Sequence, residues 1–79
     1  MIKKNTVGVF GLGNMGAGLA KNFIRNKISV SVYNRITKAE MNIIPDFLKE
    51  YNSKNVLGFT NISDFVNSLK RPRIILLLI

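Results

Sequence analysis

The sequence contains no cysteine and no histidine. Disulfide staples, zinc sites and imidazole acid–base chemistry are therefore excluded, and any catalysis has to use other groups. Acidic residues are scarce: Glu40, Asp46, Glu50 and Asp64 stand against twelve lysines and arginines, a net charge of +8. All four fall in stretches expected to be helical, where they read as solvated or capping groups, and none is assigned a catalytic role. Long hydrophobic runs are also missing. The longest, Ile74 to Ile79, has six residues, far short of the roughly 20 that span a bilayer as a helix. Two lysines near the start precede an apolar stretch that is short and broken by glycines, unlike a secretory signal. The expectation is a cytoplasmic protein with no membrane partner and no bound metal.

An excess of positive charge can mark nucleic-acid binding. Here the basic residues are scattered, only Lys70-Arg71-Pro72-Arg73 is clustered, and aromatics do not interleave with the cations as a single-strand stacking platform requires. No nucleic-acid partner is expected, and the charge fits a positively charged ligand site instead.

What is present is globular composition, 47% hydrophobic and 20% charged, so a folded core is expected. At 79 residues the chain is one small domain at most, and a chain this short buries only about 60% of its unfolded surface.

Val7-Gly8-Val9-Phe10 is a short β-branched run ending in Gly11, the pattern of a buried parallel strand. From Asn14 to Asn26, Met15, Leu19 and Phe23 recur every fourth position with Ala20 and Ile24 beside them, which predicts an amphipathic helix. Ile28 to Tyr33 alternates apolar residues with Ser29 and Ser31 and predicts a second strand. Thr37-Lys38-Ala39-Glu40 fits a capping box opening a second helix, which Pro45 breaks or restarts. Val56 to Phe59 reads as a third strand. Thr60 or Asn61 caps a helix through Phe65, Val66 and Leu69 toward Pro72, and Arg73 to Ile79 reads as a fourth strand.

Four strands alternating with three helices is the rhythm of an α/β, Rossmann-like, doubly wound parallel sheet, with right-handed crossovers and strand order 3-2-1-4. Residues 1–79 are read as the first half of such a domain. That order places a crevice at the carboxyl ends of strands 1 and 4 and leaves strand 4 as a bare apolar edge.

Gly11-Leu12-Gly13-Asn14-Met15-Gly16 is a G-x-G-x-x-G that directly follows a predicted strand and opens a predicted helix, the setting of a dinucleotide fingerprint. Gly11 permits the tight turn, Gly13 lets a pyrophosphate approach the backbone, and Gly16 lets the helix pack closely. The phosphate charge would sit on the helix N-terminus, where free N–H groups and the macrodipole favour an anion. The end of strand 2 decides the cofactor, because proteins that bind NAD place an acidic residue there for the ribose 2'-hydroxyl. This sequence has Asn34 and then Arg35. A carboxylate would repel a 2'-phosphate, whereas the Asn34 amide can donate to it and the Arg35 guanidinium can grip it, so NADP is favoured over NAD. Arg35 is otherwise an exposed charge near a helix start. Thr37 serves equally as an ordinary N-cap or as a hydroxyl donor to the phosphate.

The runs Val7 to Gly16 and Val30 to Arg35 resemble the start of the β-hydroxyacid dehydrogenase superfamily. Asp64 to Arg73, with its basic K-x-P-R-like turn followed by an Ile/Leu run, is similar to the 6-phosphogluconate dehydrogenases within it. The resemblance covers nearly the whole chain. It implies that Gly11, Leu12, Gly13, Asn14, Met15 and Gly16, with Asn34, Arg35, Ile36 and Thr37, hold NADP, and that Ile79 opens a backbone-contacting segment after strand 4. Ile36 stands where the family has threonine or serine, and Asn26 or Lys27 takes the turn before strand 2 that usually carries glycine. The family reaction oxidises 6-phosphogluconate with NADP and releases carbon dioxide to give ribulose 5-phosphate, in the pentose phosphate pathway. Its acid–base groups and the residues that build its homodimer lie beyond residue 79, so this chain by itself is not expected to turn over. The alternatives are a 3-hydroxyisobutyrate-type dehydrogenase and a non-catalytic NADP-binding module.

Overall fold

Residues 4–35, 41–51 and 55–78 are described by the computed structural model. The expected capping box of Thr37 and Glu40 lies outside the described residues. The elements run β1 (Val7–Phe10), α1 (Asn14–Arg25), β2 (Val30–Tyr33), α2 (Ile43–Glu50), β3 (Val56–Phe59), α3 (Ile62–Asn67) and β4 (Ile75–Leu77). A helix separates each strand from the next, so every pairing is parallel, and the order is β3-β2-β1-β4, as the sequence rhythm predicts.

The sheet is packed on both faces, and the two cores are distinct. Val9, Val30, Val32 and Val56 meet Ala20 of α1 with Ile44 and Phe47 of α2 on one side. Tyr33 packs with Phe65 and Leu69 on the other. Burial on both faces explains why β2 departs from its alternating pattern: all four of its residues are buried, and Ser31 is 0% exposed. The Ser31 hydroxyl is satisfied from distant parts of the chain. Asn5 Nδ2 donates to it at 2.9 Å, and Ser68 Oγ lies 2.6 Å away. Because Ser68 Oγ donates to the Phe65 carbonyl at 2.6 Å, the proton between the two serines belongs to Ser31.

α1 ends one residue earlier than expected and turns a different face inward. Gly16 and Ala20 are its buried residues, whereas Met15 is 77% exposed. Its C-terminus closes as a Schellman motif: Ile28 N donates to Phe23 O at 2.9 Å and Lys27 N to Ile24 O at 3.0 Å. Lys27 occupies the left-handed position of that motif with φ 59°. In α2, Asn42 is the N-cap and Pro45 lies in the first turn, where a missing N–H removes no helical hydrogen bond.

Asn61 caps α3, its side-chain oxygen accepting from Asp64 N at 3.0 Å. The helix stops at Asn67, short of the expected run toward Pro72, because Leu69 leaves it to form a parallel bridge with Asn5. Lys4 Nζ donates to Asn67 O, and Arg73 Nε donates to Val66 O at 3.0 Å, so two cations meet the last carbonyls of α3. β4 spans three residues rather than the seven expected and pairs with β1. Leu77 is 67% exposed on this edge. Among the described residues, no helix is long and apolar enough to cross a membrane.

Candidate functional site

The carboxyl ends of β1 and β2 and the residue following β4 enclose an open cleft of about 730 Å³, lined by Phe10, Gly11, Gly13, Tyr33, Asn34, Arg35 and Leu78. This is where an open α/β sheet places its ligands, since the chain on either side of β1 departs in opposite directions and leaves a gap above the strand ends.

Two glycines fix the shape of its floor. Gly11 has φ 104°, a conformation that carries the chain sharply out of β1. A Cβ on Gly16 would stand 1.8 Å from the Gly11 carbonyl oxygen, so α1 rests directly on the turn. At Gly13, in contrast, a Cβ would meet nothing within 4 Å. The backbone there is open to an approaching group, in space that a side chain would fill. Gly13 is also the N-cap of α1, with no side-chain cap and no acidic residue in the first turn. The start of this helix therefore offers its positive end without an internal carboxylate to compete for it.

The opposite wall is the end of β2. Asn34 is buried, at 6% exposure, and its Oδ1 accepts from Leu12 N at 2.9 Å while its Nδ2 donates to the Arg35 carbonyl at 3.2 Å. Arg35 is exposed and is the one charged residue lining the cleft among the described residues.

Of the residues singled out from sequence, Gly11, Gly13, Asn34 and Arg35 come together on this cleft. Asn14 and Met15 stand exposed in the first turn of α1, and Gly16 is buried beneath it. Leu12 turns its side chain into the core with α1 and α2 and offers the site only its backbone. Ile36, Thr37 and Ile79 lie outside the described residues. Phe10, Tyr33 and Leu78, which sequence reading did not single out, supply the apolar lining. Their signal was positional: Phe10 and Tyr33 close β1 and β2, and Leu78 N donates to Phe10 O at 2.9 Å just past β4.

Residues 6–79 match the family described as the NAD binding domain of 6-phosphogluconate dehydrogenase. A decarboxylating 6-phosphogluconate dehydrogenase of Chlamydia pneumoniae is 47% identical over 77 residues, which is 96% of this chain and 15% of that protein. The NADP(+)-dependent, decarboxylating 6-phosphogluconate dehydrogenase of Bacillus subtilis is 46% identical over 79 residues, covering 99% of this chain and 16% of its own length. A decarboxylating 6-phosphogluconate dehydrogenase of Synechococcus elongatus is 39% identical over 72 residues, 91% of this chain and 15% of that protein. The chain thus spans 15 to 16% of the length of these relatives. With a match over residues 6–79 and relatives up to 47% identical along the same stretch, the chain belongs to the family of NAD-binding domains of 6-phosphogluconate dehydrogenase.

Proposed function

We propose that this cleft binds NADP, and that the chain is the cofactor-binding first part of a cytoplasmic, NADP-dependent, decarboxylating 6-phosphogluconate dehydrogenase. The observation that carries the reading is the pairing of an uncapped helix start at Gly13 with a facing wall in which Asn34 and Arg35 line the cleft and, among the described residues, no carboxylate does. The residues fit the cofactor. The open backbone at Gly13 suits a pyrophosphate, the α1 macrodipole favours its charge, and the exposed guanidinium suits a 2'-phosphate. Ile36, Thr37 and Ile79 complete the proposed contact set.

Bound there, NADP would accept hydride from the substrate. This chain's own residues would hold and orient it: Gly11 to Gly16 at the pyrophosphate, Arg35 at the adenosine end, and Phe10, Tyr33 and Leu78 as apolar walls. The four acidic residues lie away from the cleft lining or outside the described residues, and no proton-transfer role falls to them. Oxidation and decarboxylation of 6-phosphogluconate to ribulose 5-phosphate, and assembly as a homodimer, are assigned to the full-length protein.

Titration of the chain with NADP and with NAD tests the reading. Arg35→Asp removes charge-assisted bonds of about 1.5–3 kcal/mol in total, so NADP affinity should fall roughly 10- to 150-fold while NAD affinity changes little. Equal losses for both cofactors would take Arg35 out of the 2'-phosphate role.

A further inference from the structure

We infer that Asn34 is a positioning residue for the glycine turn: its side-chain carbonyl sets the turn's geometry and so supports binding of any dinucleotide, with or without a 2'-phosphate. The inference rests on the proposed cofactor function and adds to the direct phosphate contact expected of Asn34 from sequence.

The ladder between β1 and β2 ends with Gly11 N donating to Tyr33 O at 2.8 Å. Gly11, at φ 104°, then swings the chain out of the sheet, so Leu12 N–H can no longer reach a strand carbonyl. Asn34 Oδ1, 2.9 Å from Leu12 N, takes the place of that carbonyl. Leu12 and Asn34 are 5% and 6% exposed, so the bond is made inside the fold, where loss of the acceptor costs more than at the surface.

The backbone of Asn34 is itself tied down, its N–H donating to Phe59 O at 3.3 Å. The residue therefore spans two systems, main chain on β3 and side chain on the glycine turn. Its amide has only one workable orientation: Leu12 N–H can only donate and the Arg35 carbonyl can only accept, so the oxygen faces the turn.

The peptide unit held in this way joins Gly11 to Leu12. Its N–H end is bound by Asn34, and its carbonyl end is the oxygen on which Gly16 rests, at 1.8 Å from an ideal Cβ there. One plane thus fixes the first turn of α1 relative to the end of β2. If Asn34 lets go, the plane is free to rotate, and Gly13 and the following N–H groups lose their common direction. A loss of that kind falls on the pyrophosphate, which NAD and NADP share. Loss of Arg35 falls on the 2'-phosphate alone.

The test uses the full chain, with hydrogen exchange of the Leu12 amide and titrations of NAD and NADP on Asn34→Ala and Asn34→Asp. Asn34→Ala should raise Leu12 exchange about tenfold relative to the Val9 and Val32 amides, which report global opening, and should weaken NAD about tenfold and NADP by at least as much. Asn34→Asp keeps an acceptor oxygen for Leu12, so Leu12 should stay protected and NAD binding should be retained while NADP binding falls. An Asn34→Ala chain with unchanged Leu12 exchange and unchanged NAD affinity overturns the inference. Should that variant not fold, loss of Leu12 protection in a folded Asn34→Asp chain overturns it instead. A wild-type chain that binds neither dinucleotide overturns the cofactor reading itself, an outcome distinct from wild type and alanine variant binding NAD equally well.

Discussion

Replacing Gly16 by alanine probes the glycine turn where it is tightest. The new Cβ would lie 1.8 Å from the Gly11 carbonyl oxygen, against a floor of 3.0 Å for such contacts, so α1 and the turn must separate by about 1.2 Å. The obstacle is main chain, and it is poorly placed to yield: Gly11 N is bonded to Tyr33 O and Leu12 N to Asn34. Overpacking costs about 1–3 kcal/mol, and an overlap with main chain this deep belongs at the upper end of that range. Better helix propensity returns at most about 1 kcal/mol, so a loss near 2 kcal/mol is expected. Gly18→Ala, two positions along the same helix, is the control. Nothing lies within 4 Å of its Cβ, and removing a helical glycine there should stabilise by about 0.5–1 kcal/mol. Urea denaturation followed by circular dichroism reads both, with midpoints moving in opposite directions at similar slope. A Gly16→Ala midpoint equal to or above wild type would refute the close contact and the loop geometry built on it.

Other substitutions test the packing and the charge on α1. Phe65 is 0% exposed, with the Tyr33 ring 5.6 Å away and those of Phe10 and Phe59 at 6.2 and 6.3 Å. Phe65→Ala should cost about 3–5 kcal/mol, comparable to the whole stability of a chain this small at about 0.05–0.15 kcal/mol per residue; a cooperative urea transition with an unchanged midpoint would count against the α3-side core. The Lys21 ammonium stands 5.1 Å from the centre of the Tyr51 ring, and its interaction with the Tyr51 side chain holds its pKa above the usual 10.5. A folded value above the unfolded one means that the stabilising contribution is complete below pH 10.5 and is lost as pH rises through the folded value. Lys21→Met should leave the pH dependence of the melting temperature near neutrality unchanged and make its alkaline decline shallower. A steeper decline would reverse the sign of this argument.

The strands, their order and the glycine turn were legible because each rests on local chemistry: β-branched runs, crossovers of helical length, and glycines at spaced positions. What was not legible depends on partners far away in sequence. Ser31 reads as the solvent side of an alternating strand, yet it is buried because α3 covers that face, and its partners are Asn5 and Ser68, 26 and 37 positions away. Met15 fits the apolar stripe of α1 by spacing, but the Gly16 contact with Gly11 pulls the adjacent face inward and leaves Met15 out. The end of α3 misled for a similar reason: Leu69 continues the helical period but is claimed by its bridge to Asn5. Lys27 at φ 59° performs a turn that usually carries glycine, which spacing and resemblance located and residue preference alone would not. At the site, the residue types of Asn34 and Arg35 suggested an anion partner. The bond from Leu12 N to Asn34 required the fold.

β1 sits between a near neighbour and a distant one. Its pairing with β2 needs only the α1 crossover, whereas its pairing with β4 joins Gly8 to Ile75, 67 positions later. Closing the longer loop costs more chain entropy before any contact offsets it. During refolding, then, the Gly11 amide on Tyr33 should gain protection before the Leu78 amide on Phe10. The two sides of the cleft differ in age: the wall that carries Tyr33, Asn34 and Arg35 is built early from neighbouring chain, and the Leu78 side closes only when the polypeptide comes back. A ribosome would therefore have released most of this chain before the pocket had its second wall.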